Sequence, residues 1–192
     1  MMQGLRYRGF KWRAIALLVF GRQKAALELF DAMLAEFPGD SYGLASKAHL
    51  LAQQGRKRAA VDTLRQLVET DPANGRHWFN YGFLLEDLGD YAEAEAAFRR
   101  STELSPKLDR AWYGLGLVLI RLQRFDEALV ALKKNTQLQP MSPYGWYQLA
   151  RVHVDRHEPE EALRIIRHLK RFEPKVAAQL ERETGIFVPP AS

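Results

Sequence analysis

Five prolines, Pro38, Pro72, Pro106, Pro140 and Pro174, stand 34 residues apart with no insertion between them. A fixed period in this range argues against an ordinary layered domain and for one supersecondary unit used repeatedly. Aligned on the prolines, the chain divides into repeats 7–40, 41–74, 75–108, 109–142 and 143–176. Twelve residues before each proline stands an alanine, at Ala26, Ala60, Ala94, Ala128 and Ala162. Eight before it stand Phe30, Leu64, Phe98, Leu132 and Ile166, and twenty-eight before it Phe10, Leu44, Trp78, Trp112 and Trp146. A column of small residues, Ala14, Ala48, Gly82, Gly116 and Ala150, lies four residues after this last one.

The third repeat, Gly75–Leu108, is the cleanest copy. Trp78, Gly82 and Leu85 share one face of a first helix, and Ala94 and Phe98 share one face of a second. The small residue lets two helix backbones approach while the large ones fill the space beside it. Each proline ends the second helix, because the residue before a proline is pushed out of the α region. One helix pair cannot bury both apolar faces, so neighbouring repeats must stack. Residues 1–6 form an N-terminal extension. Lys175–Thr184 reads as one more short helix stopped by Gly185, a lid for the last repeat, and residues 177–192 hold its end and a mobile tail.

The runs WFNYG, WYGLG and WYQLA, each followed by the alanine, the apolar residue and the proline, resemble tetratricopeptide repeats over nearly all of residues 7–176. The likeness implies an all-α fold, a right-handed α-solenoid of stacked antiparallel helix pairs with a short C-terminal capping helix. Two columns depart from the family. Leu17, Leu51, Leu85, Leu119 and His153 replace its usual tyrosine, and Ser101 and Asn135 stand where it prefers alanine.

Composition narrows the function. With no cysteine, disulfides, thiolate catalysis and Cys-ligated metal sites are excluded. The net charge of +5 favours acidic partners, such as an acidic peptide, an anionic membrane or nucleic acid. Charges are interspersed, and the third repeat, with four basic and six acidic residues, is the one negative repeat. That pattern marks solvated helix faces, so nucleic-acid binding is not expected. His153 and His157 are spaced to share a metal but lack a third ligand, and Gly114–Gly116 lacks phosphate-loop spacing. No nucleophile, base or paired-carboxylate set accompanies them. The chain is read as no enzyme, with no cofactor.

The N-terminus has two readings. Arg6, Arg8, Lys11 and Arg13 precede the apolar run Ala14–Phe20, as in a secretory signal, yet the segment keeps the repeat phase as a structural helix. The run is too short to span a bilayer. A cytoplasmic protein is expected, exported or membrane-peripheral if residues 1–21 act as a signal. Ile15, Leu18 and Val19 have no preceding repeat to cover them, which leaves self-association open.

The family resemblance implies that the other face of each first helix lines a concave groove for a peptide or partner helix. By column this face carries Arg8, Lys11 and Ile15, then Tyr42, Ala45 and His49. It continues with Arg76, Phe79, Asn80 and Phe83, then Arg110, Tyr113 and Leu117, and ends with Tyr144, Tyr147, Gln148 and Arg151. Asn80 and Arg110 match two columns of the family's carboxylate clamp, but Ala45, His49 and Gly114 stand at the other three. The expected site is therefore Arg76, Phe79, Asn80, Phe83, Arg110, Tyr113, Leu117, Tyr144, Tyr147 and Arg151. The expected function is a scaffold or adaptor for a protein or peptide of mixed apolar, aromatic and acidic character.

Overall fold

The computed structural model describes residues 2–189, and among them it contains eleven α-helices and no strand. These are α1 (Met2–Val19), α2 (Gln23–Glu36), α3 (Ser41–Gln53), α4 (Lys57–Thr70), α5 (Gly75–Leu88), α6 (Tyr91–Leu104), α7 (Asp109–Arg121), α8 (Phe125–Leu138), α9 (Pro143–Asp155), α10 (Pro159–Leu169) and α11 (Pro174–Thr184). The fold is the all-α array of helix pairs. Helix α1 begins at Met2 and so takes in the residues read as an extension. The chain forms two compact bodies, Met1–Asp90 and Tyr91–Ser192, divided in the turn inside the third repeat.

The turn inside each repeat recurs in detail. Gly21, Gly55, Gly89, Gln123 and His157 all take positive φ, between 58° and 83°. The amide that follows each one donates to the carbonyl of Leu17, Leu51, Leu85, Leu119 or His153, at 2.8–2.9 Å. These bonds satisfy carbonyls that a helix end would otherwise leave orphaned. Glycine takes the left-handed conformation without steric cost, whereas Gln123 and His157 hold it against their Cβ atoms.

In the first body each helix packs on the next, α1 on α2, α2 on α3, α3 on α4 and α4 on α5. Ala14, Ala26, Leu29, Phe30, Met33 and Leu50 form a buried cluster, with Phe10, Leu17 and Phe37 packed against it. Asp40 ties two helices together. Its carboxylate accepts from the Tyr7 hydroxyl of α1 at 2.8 Å and from the Gly43 amide at the start of α3 at 2.7 Å. Burial and this bond push the Tyr7 hydroxyl up to about 12. Lys57 and Arg58 pair with Asp87 and Asp90, joining the start of α4 to the end of α5.

In the second body α9 touches α7 on one side and α11 on the other, while α8 and α10 pack behind. Leu129, Leu132, Leu149 and Val152 form one buried cluster, and Ala150, Ile166, Leu169, Ala177 and Leu180 another. Four charges close a ring between α6 and the start of α8. Arg99 pairs with Glu95 and Glu127 at 2.7 and 2.6 Å, and Arg124 pairs with the same two carboxylates at 2.6 and 2.7 Å. The segment read as a mobile tail is held as far as Val188. Ile186 and Val188 pack on the last cluster, and the Val188 amide donates to Glu181 at 2.8 Å. Residues 190–192 of that tail lie outside the described residues.

The alanine column and the apolar column of the second helices are buried, whereas Phe10, Trp78, Trp112 and Trp146 of the first helices are half-buried. Ala26, Ala60, Ala94, Ala128, Ala162, Phe30, Phe98, Leu132 and Ile166 are at most 1 % exposed. Asn135, an exception to the family pattern, is buried because its amide donates to the Asp109 carbonyl at 2.9 Å. Its oxygen then leaves no room opposite, since a Cβ at Gly145 would meet it.

Candidate partner-binding faces

In the first body, α5 begins under an N-cap in which the Asn74 side chain accepts from the Arg76 amide at 3.1 Å. The cap starts the helix at a register that leaves Arg76 and Asn80 exposed one turn apart. Phe79 and Phe83 follow on the same face, their rings stacked with centroids 6.2 Å apart. Phe83 is 54 % exposed, so this pair is not closed over by the helix core. On α3, Tyr42 is engaged: Lys11 stands over its ring at 4.3 Å from the centroid. His49 meets Gln53 at 3.0 Å beside a hollow of about 530 Å³ lined by Leu18, Ala45 and Ser46.

In the second body, Arg110 is exposed, and Tyr113 and Leu117 are half-buried on α7. Tyr113 packs against Leu129, Leu132, Leu149 and Val152. Gly114 sits over the Phe98 ring, where a Cβ would meet the ring carbons at 2.5–3.0 Å. Packing, and not ligand binding, therefore explains why the clamp column is empty there. Tyr144 projects from the first turn of α9 and is 70 % exposed.

Tyr147 and Arg151, one turn apart on α9, converge on a single carboxylate of the chain itself. The Tyr147 hydroxyl donates to Glu183 of α11 at 2.5 Å, and Arg151 donates to the same oxygen at 3.1 Å. The other oxygen of Glu183 accepts from Gln179 at 2.7 Å. These donors, Tyr147 first, hold the Glu183 carboxyl below the usual carboxylate range, and the same bond raises the Tyr147 hydroxyl. Glu183 was not singled out by sequence, since its partners lie 36 and 32 residues away. Only the Gln179–Glu183 spacing hinted at a polar face on the last helix.

His153 is buried and spends Nδ1 on Glu158 at 2.7 Å, while Arg156 donates to the other oxygen of Glu158 and to Asp126. The His153 bond, with that of Arg156, holds Glu158 below its ordinary range. Among the described residues no three His, Asp or Glu side chains gather as metal ligands, and no helix is long and apolar enough to cross a membrane.

A tetratricopeptide repeat family model matches residues 46–109 and 84–134. Among solved structures, that of MamA protein superposes with a TM-score of 0.80 at 17 % identity, over 98 % of this chain and 99 % of that one. YrrB, described as a tetratricopeptide-repeat protein with an unusual peptide-binding site, superposes with a TM-score of 0.79 at 19 % identity, over 88 % of each chain. A tetratricopeptide repeat protein from Parabacteroides merdae gives 0.81 at 20 % identity, over 93 % of this chain and 73 % of that one. At these identities the likeness is one of fold. No curated protein matches the chain.

Proposed function

We propose, on the premise that this chain belongs to the tetratricopeptide-repeat family, that it is a protein-interaction scaffold reading a peptide or partner helix of mixed aromatic and acidic character. The observation that carries the reading is the grip of Tyr147 and Arg151 on Glu183. A phenol and a guanidinium on one helix face hold a carboxylate through charge-assisted hydrogen bonds, and arginine also stacks on rings. Arg110 and Tyr113 repeat that pairing of residue types one repeat earlier, on α7, and Tyr144 adds an exposed ring. In the first body, Arg76 beside the stacked Phe79 and Phe83 offers the same mixture. Tyrosine and arginine are among the residue types that dominate binding energy at protein interfaces, and phenylalanine is enriched there. The peptide-binding site described for YrrB supports a binding role for this fold. The role requires no catalysis and no cofactor.

The test is affinity capture from native extract with the intact chain beside two variants, Arg110→Ala/Tyr113→Ala/Tyr144→Ala and Arg76→Ala/Phe83→Ala. Tyr147 stays in place because its loss would also break its bond to Glu183 of α11. We expect both variants to remain helical and at least one to lose its partner. Capture at full strength by both would end the proposal.

A further inference from the structure

Helix α1 carries a further surface, which takes in Arg8 and Ile15 of the first repeat's groove columns and none of the residues of the expected site. Its core side is accounted for by Tyr7, Phe10, Ala14 and Leu17, which pack on α2 and its neighbours. The opposite side is apolar and open. Leu5, Trp12, Ile15 and Val19 are exposed, Trp12 at 70 % and Val19 at 76 %, and Phe20 follows just past the helix end. At about 100° per residue, these side chains fall on one arc of the helix. Arg8 lies within that arc, between Ile15 and Val19, while Arg13 and Arg6 lie beyond its far edge and Arg6 pairs with Glu36 at 3.2 Å. Helix α1 contains no acidic residue, and among the described residues no carboxylate pairs with Arg8 or Arg13. Between Arg6 and Arg13, over Gly9 and Phe10, is a hollow of about 260 Å³. A Cβ at Gly9 would meet nothing within 4 Å, so its floor is open.

We infer that α1 is an interfacial helix that docks the protein on an anionic lipid surface. The apolar arc enters the boundary between headgroups and acyl chains. Arg8 and Arg13, which have no carboxylate partner among the described residues, snorkel to the phosphates, with the hollow over Gly9 as a bed for one of them. An aromatic ring among aliphatic side chains, bordered by cations, suits that boundary better than it suits a protein core. Charge selects the occupant. A second copy laid on the same face would bring two sets of arginines together, whereas an anionic headgroup layer complements them. The helix lies on the bilayer and does not span it, since it is not apolar enough to cross.

Vesicle flotation of the intact chain tests this, with vesicles of phosphatidylcholine alone and of an equal mixture of phosphatidylcholine and phosphatidylglycerol. The protein is expected to float with the mixed vesicles, to stay down with the neutral ones, and to be released by high salt. Trp12→Glu and, separately, Arg8→Gln/Arg13→Gln are each expected to lower the bound fraction roughly tenfold or more. All three positions are exposed, and unchanged circular dichroism and melting would show that the fold is kept. Absence of flotation, equal flotation with neutral vesicles, or binding untouched by Trp12→Glu would each overturn the inference. So would a dimer that ignores vesicles and that Trp12→Glu dissolves, which would assign the face to a second copy.

Discussion

The indole N–H of Trp146 donates to the carbonyl of Pro140 at 2.8 Å, and Trp112 and Trp78 make the same six-residue reach to Pro106 and Pro72 at 2.9 Å. The tryptophan of a repeat therefore fastens the turn through which the chain enters it, besides filling the space between helices. Trp146→Phe keeps most of the ring's packing and removes this donor. A loss of about 1 kcal/mol is expected, read as a lower midpoint in urea with an unchanged slope.

Gln123 and His157 hold left-handed backbone that glycine provides in the first three repeats. Replacing either with glycine should stabilise the protein by about 1 kcal/mol, because the Cβ clash disappears and the turn bonds remain. Gly89→Ala is the converse and should destabilise by a similar amount. Thermal melts of the three variants decide it; a lower midpoint for His157→Gly would show that its side chain contributes more than the strain costs.

Gly145 and Asn135 fit one another across α8 and α9, since a Cβ on the glycine would strike the amide oxygen. Gly145→Ala alone should cost about 1–3 kcal/mol by overpacking. Asn135→Ala alone removes the bond to Asp109 and should cost about 1 kcal/mol. In the double variant the new methyl finds the space the amide left, so the combined loss should fall below the sum. Strict additivity in a urea double-mutant cycle would contradict the fit.

Glu127 is held below the usual carboxylate range, first by Arg124 and then by Arg99. A depressed folded value means that the ionised ring adds stability above the unfolded value of about 4.3, and that this is lost as pH falls through the folded one. The melting temperature should therefore drop on acidification below about pH 4. Glu127→Gln should be less stable at neutral pH and lose less between neutral and acid. The ring is exposed to water, so the difference should shrink in high salt.

The fold was legible because its packing columns are chemically narrow. Ala26 and its counterparts admit only a small residue, and Trp78, Gly82 and Phe98 keep fixed spacing, so identity and position agree. The turn column was not legible, because Gln123 and His157 break a run of glycines whose common property is a dihedral angle and not a side chain. The binding faces were legible only as faces. Periodicity placed Tyr147 and Arg151 beside one another, but nothing local announces Glu183, which engages both of them. Gly114 had the opposite fate: its place in the clamp column suggested a missing ligand group, when the space is taken by Phe98.

The charge ring between α6 and α8 bears on how such a chain tolerates recombination. The residue at Arg124's place in the next repeat is Glu158, and in the preceding one Asp90. Transplanting either turn to the start of α8 would set a carboxylate against Glu95, where Arg124 now stands. Arg22 and Arg56 keep the sign of Arg124 in this column, so the exchange is barred for the turns of the third and fifth repeats.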